Sequence, residues 1–173
     1  IKECRGCDLQ GANFKKADLV GVDLTGANLT GATFHRANLQ GAILTGVIAT
    51  EANFNLADLT RAQMAEGDFS RAMFYGAQMS GADLSATDLT EARMQTARLT
   101  SARLAGAVLD RALMRDAVAN NVDFSRASMR ETNLNGAHLG RSQFDGATIV
   151  NSGFVKAEAS SASFVGATIS ISD

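Results

Sequence analysis

Cys4 and Cys7 stand three apart in the run Cys4-Arg5-Gly6-Cys7, and they are the only cysteines in the 173-residue chain. A C-x-x-C pair can cycle between dithiol and disulfide, or supply half of a tetrahedral zinc site. Zinc needs further ligands, and the sequence holds neither a second C-x-x-C nor a histidine near the first. A redox centre of this spacing usually sits where a helix starts after a strand, and no helix-start pattern follows Cys7. Two readings remain: small apolar core fillers, which the periodicity below favours, or a disulfide.

The histidines, His35 and His138, are far apart in the chain. Nucleophilic or acid–base catalysis needs a base within hydrogen-bond reach of its nucleophile, oriented by a third group. Here Ser, Thr, Asp and Asn are spread along the whole chain. The glycines recur at fixed intervals, so they do not form a phosphate loop, which needs a helix start beside it. The sequence therefore predicts no catalytic residue, no metal site, no cofactor and no enzyme.

What organises these residues is a period of five. Large residues return at Cys4, Leu9, Phe14, Leu19 and onward to Phe164 and Ile169, 34 centres with no insertion between them. They are 14 Leu, 9 Phe, 5 Met, 3 Ala, 2 Ile and 1 Cys, and every Phe of the chain is among them. Ala fills 24 of the 34 slots two residues before a centre. A helix would repeat its apolar face at about 3.6 residues and a strand at 2. A five-residue unit must instead turn a corner to bring its centre back inside. Gly two after the centre, as at Gly21, Gly26 and Gly31, permits the positive φ of such a corner. The absence of Pro fits a chain in which each unit needs its backbone N–H for a ladder.

Side chains one full turn apart should stack, and five Phe pairs are separated by 20 residues against one by 15 and two by 10. Phe14, Phe34, Phe54 and Phe74 form one expected core ladder, and Phe124, Phe144 and Phe164 another. Four repeats per coil follow, and 34 repeats then make 8.5 coils, a rod of roughly 40 Å at strand spacing. Ala49, Ala119 and Ala159 occupy centres, so thinner core layers are expected there.

The run Ala17-Asp18-Leu19-Val20-Gly21 and its neighbour Ala27-Asn28-Leu29-Thr30-Gly31 resemble the pentapeptide repeat family, as does the opening CRGCDLQGANF. The resemblance spans essentially the whole chain. It implies an all-β, right-handed, quadrilateral parallel β-helix over residues 1–173 as a single domain, without loop insertions. It also implies a structural or protein-interaction role. Some members of that family resemble duplex DNA in width and acidity and bind DNA gyrase, protecting it from quinolones. That alternative needs a dense acidic surface, whereas this chain has a formal charge of −2 from 18 acidic and 16 basic residues.

Function is then expected where the outward slots break the pattern. The slot before the centre runs Asp83, Asp88, Arg93, Arg98, Arg103, Val108, Leu113, Val118, Asp123. With four repeats per coil this is a basic belt followed by an apolar one. Val108, Leu113 and Val118 are expected to be exposed, and Met73 and Tyr75 to share the face of Leu113 with Arg93 between them. Such a Met, Tyr and Arg mixture is enriched in interfaces. Residues 93–130 hold 7 Arg against 3 Asp, but aromatic interleaving is missing, which argues against nucleic acid as a partner.

The last coils carry Val150, Val155, Val165 and Ile171 in outer slots that earlier hold mostly Thr, Gln or Ser. Members of the resembled family commonly dimerise through C-terminal coils, so a homodimer through that end is expected beside an unidentified protein partner. No apolar run reaches the roughly 18 residues of a membrane span. No signal-peptide pattern opens the chain, which favours the cytoplasm. The repeat is already in phase at Ile1, so a preceding leader is compatible with it.

Overall fold

The computed structural model describes residues 3–170, and each five-residue unit in it is one bridge followed by one corner. The corner is a four-residue turn from centre to small residue, closed for example by the Ala32 amide donating to the Leu29 carbonyl at 2.9 Å. Its third residue has φ near +60° at 13 glycines and at 20 other residues, the signature of a type II turn. Glycine was the expected corner residue, yet most corners do without it. Each non-glycine corner costs on the order of 1 kcal/mol. The corner amides offset this by joining the ladder: Arg61 donates to the Ser80 carbonyl and Glu66 to the Ser85 carbonyl, both at 3.0 Å.

Parallel bridges join residues 20 apart along the chain, from Glu3 to Asp23 through Gln143 to Ser163. Longer pairings form the strands β1 (Ser128–Arg130), β2 (Thr148–Val150) and β3 (Thr168–Ser170). They lie in one parallel sheet in the order β1-β2-β3, with Met129 beside Ile149 and Ile149 beside Ile169. Among the described residues there is no helix, and none is long and apolar enough to cross a membrane.

Centres and small residues point inward and form one continuous core from Val22 to Ile149. Phe14, packed against one end of this core, stacks with Phe34, Phe54 and Phe74 inside it, with centroids 5.0, 4.8 and 5.1 Å apart. Phe124, Phe144 and Phe164 stack at 4.9 and 4.8 Å. Ala49 and Ala119 are buried in phase with their neighbours, while Ala159 is half-buried. Cys4 and Cys7 are not the reduced fillers that the periodicity favoured: they form a disulfide across the first corner, with Cα atoms 5.4 Å apart. Centre and small slot of one corner face the same interior, which brings the two sulfur atoms together.

The Asp or Asn before a centre caps its own corner. Asp58 Oδ1 accepts from the Thr60 amide at 3.0 Å, and Asp68 and Asp88 accept from Ser70 and Thr90 at 2.9 Å. At five corners where another residue fills that slot, a corner side chain one coil earlier takes over. Asn55 Oδ1 accepts from the Tyr75 amide at 2.8 Å, beside Met73, and Asn135 Oδ1 from the Val155 amide at 2.8 Å, beside Gly153. Asp110 does the same for the Arg130 amide at 3.0 Å. The outward slot is thereby released from backbone capping, and Met73 can occupy it.

Candidate interaction surface

Met73, Arg93 and Leu113 are consecutive rungs of one ladder, joined by parallel bridges, with Asn53 and Asn133 as the rungs at either end. The adjoining corner carries Tyr75, and a shallow groove of about 410 Å³ runs along it past Leu113, Arg115 and Asn133. On the other edge, a groove of about 370 Å³ lies between Met73 and Arg93 and the corner residues Glu51, Arg71 and Glu91. Tyr75 is 53% exposed and Leu56, one coil earlier on the next corner slot, 41%. A Cβ on Gly76 would sit 2.8 Å from Cδ2 of Leu56, so the leucine lies over the glycine and extends the apolar surface. The result is a Met, Leu, Tyr and Arg centre bordered by asparagines.

The charges around this centre are mutually paired. Arg71 meets Glu51 at 3.2 Å and Arg111 meets Glu91 at 3.4 Å along one corner, and Arg115 meets Asp116 at 3.2 Å. Such exposed pairs contribute about 0–1 kcal/mol each. Arg93 is exposed and makes no ion pair among the described residues. The alternation Glu51, Arg71, Glu91, Arg111, Glu131 at intervals of 20 is visible in the sequence. Sequence reasoning passed over it because it followed the slot before the centre and not the corner.

Other expected site residues lie elsewhere. Val108 stands between Asp88 and Ser128, and Val118 between Arg98 and His138, on ladders separate from that of Leu113. All three apolar residues are half-buried, not exposed as expected. Rungs about 4.8 Å above and below shield each side chain. Val150 is half-buried in β2, whereas Val155 and Val165 are 66% and 73% exposed on different corners. Ile169, Val20 and Ile48 are also about half exposed, and Ile171 lies outside the described residues. Arg103 lies between Asp83 and Asp123 and makes its ion pair with Asp83.

Three carboxyls are held below their usual range. The Thr25 hydroxyl and amide do so for Asp23, with Arg5 adding to them against the effect of burial. At Asp83 burial pushes upward but is outweighed by Arg103 and by the Ser85 hydroxyl and amide. At Asp58 burial is likewise outweighed by Thr60 and Gln40. These bonds tie neighbouring coils or brace a corner. His138 meets Glu158 at 2.9 Å one coil on, and His35 stands five coils earlier. Among the described residues no cluster of three or more His, Cys, Asp or Glu could hold a metal.

The profile of pentapeptide repeats matches residues 7–46 and 52–157 in eight overlapping copies. The chain belongs to the pentapeptide repeat family. Solved structures of such proteins are similar to it in fold. One is HetL, a pentapeptide repeat protein involved in heterocyst differentiation regulation from the cyanobacterium Nostoc sp. strain PCC 7120. It is 23% identical, over 96% of this chain and 86% of that one, with a TM-score of 0.51. Another is full-length QnrB1, a plasmid-mediated fluoroquinolone resistance protein, 13% identical over 96% and 93% of the two chains, also with a TM-score of 0.51. No curated protein matches the sequence significantly. In this pentapeptide repeat chain, Met73 and Leu113 place apolar side chains, with Arg93 between them, in outer slots that elsewhere carry mostly polar residues.

Proposed function

We propose that the chain is a non-enzymatic protein-interaction module, a single domain built as a right-handed, four-sided β-helix of about 8.5 coils. The observation that carries this reading is the face formed by Met73, Arg93, Leu113 and Tyr75. Its centre has the composition of an interface core and its asparagine border that of an interface rim. The repeat supplies a stiff platform, because each coil is fixed only by its neighbours and the surface can vary without disturbing the core.

The reading includes self-association through the last coils, supported by the exposure of Val155 and Val165. Gyrase binding by DNA mimicry is the alternative, and the balance of 18 acidic and 16 basic residues disfavours it. A photo-crosslinking residue in place of Tyr75 should capture a discrete protein in the source cell, while the same residue in place of the exposed Val20 should not. Equal capture at both positions, or none, would sink the reading. Inhibition of gyrase supercoiling at submicromolar protein would favour the alternative.

A further inference from the structure

The interaction face has a spacing as well as a composition. Met73, Arg93 and Leu113 lie one coil apart, and successive coils are separated by 4.8 to 5.1 Å, as the stacked Phe34, Phe54 and Phe74 rings show. Met73 and Leu113 are therefore about 10 Å apart along the rod axis. An α-helix laid parallel to that axis presents side chains i, i+4 and i+7 on one face, spanning about 10.5 Å at 1.5 Å per residue. An extended strand places its same-face side chains about 6.6 Å apart, so three of them span about 13 Å and run out of register. The rung spacing matches a helix.

Charge selects among helices. Arg71, Arg111 and Arg115 around the face are each engaged with Glu51, Glu91 and Asp116. Arg93 alone at the centre has no carboxylate partner among the described residues, and apolar rungs stand on either side of it. An approaching helix must leave this guanidinium buried and unpaired unless it brings an acid, and an unpaired buried charge is strongly unfavourable. Apolar residues on both sides of that acid would cover Met73 and Leu113, with Tyr75 closing one flank.

We propose that the face of Met73, Arg93 and Leu113 binds an amphipathic helix of a partner protein, laid along the rod, with an apolar–acidic–apolar triplet at i, i+4 and i+7. This rests on the interaction-module reading and specifies its partner.

The probe is a fluorescein-labelled, side-chain-stapled 15-residue helix carrying leucine, glutamate and leucine at those three positions, followed by fluorescence anisotropy. A second peptide has lysine in place of the glutamate. The glutamate peptide should bind at least tenfold more tightly than the lysine peptide. Arg93→Glu should reverse that preference, and Leu113→Ser should weaken the glutamate peptide several-fold, both with an unchanged circular dichroism spectrum. The proposal falls if the glutamate peptide does not bind, if the two peptides bind alike, or if binding survives Arg93→Glu. It also falls if an unstapled extended peptide with the same triplet at alternate positions binds more tightly. Failure here together with position-specific crosslinking at residue 75 would remove the helix and leave the interaction module standing. Peptide binding without any crosslink in the cell would remove the module reading.

Discussion

A Cβ on residue 67 would lie 2.5 Å from Cε2 of Phe69. Gly67 occupies a small slot that Ala fills in most units, and the Phe69 ring uses the space so released. One coil earlier the centre is Ala49, and Phe69 turns its ring toward Phe54 and Phe74, with centroids 6.0 and 5.9 Å away. Ala49 thins its layer, and Phe69 with Gly67 repacks the layer above it. Gly67→Ala should therefore destabilise the fold by about 1–3 kcal/mol through overpacking. Phe69→Leu in the same chain should recover most of that loss in urea denaturation. A neutral Gly67→Ala would show that the ring has another place to go.

The left-handed corners reverse the usual effect of glycine. Ala86 has φ +55°, so Ala86→Gly should stabilise by about 0.5–1 kcal/mol by relieving backbone strain, net of the added chain entropy. Gly26 has φ +65° and open space where a Cβ would be, so Gly26→Ala should cost about 1 kcal/mol from conformation alone. Shifts of opposite sign in melting temperature would be the observable. Ala86→Gly lowering it would refute the strain account.

Acid should loosen the rod. Asp23, Asp58 and Asp83 have folded pKa values below their ordinary range. Groups depressed on folding stabilise the native state above their unfolded pKa, and that contribution is lost as pH falls through the folded value. Stability should be flat from neutral pH to about 5 and decline below about 4. Asp83→Asn should flatten that decline and Arg103→Gln should lessen the contribution of Asp83. An acid limb unchanged in Asp23→Asn, Asp58→Asn and Asp83→Asn together would assign the effect to other carboxyls.

Self-association makes a separate demand. Val155→Lys with Val165→Lys should give a monomer by light scattering at tens of micromolar, with the β spectrum retained. An unmodified chain that is already monomeric at that concentration would end the homodimer proposal.

The five-residue period is a local steric property: alternating small and large inward residues with a tight corner after each. For that reason the inward slots, the corner positions and the coil of 20 residues were readable from Leu, Phe, Ala and Gly in the sequence alone. What each outward residue meets depends on the residue 20 positions away, and so on how the coil closes. Only tertiary structure decided that Val108, Leu113 and Val118 are shielded by their rungs. The same holds for the capping of the Tyr75 amide by Asn55, the pairing of Arg71 with Glu51, and Arg93 being left without a partner. The spacing of Cys4 and Cys7 left a disulfide and reduced core fillers both open, and the structure decides for the disulfide because the first corner turns both residues toward the same interior. Inward positions answer to the shape of one unit, outward ones to the register between coils.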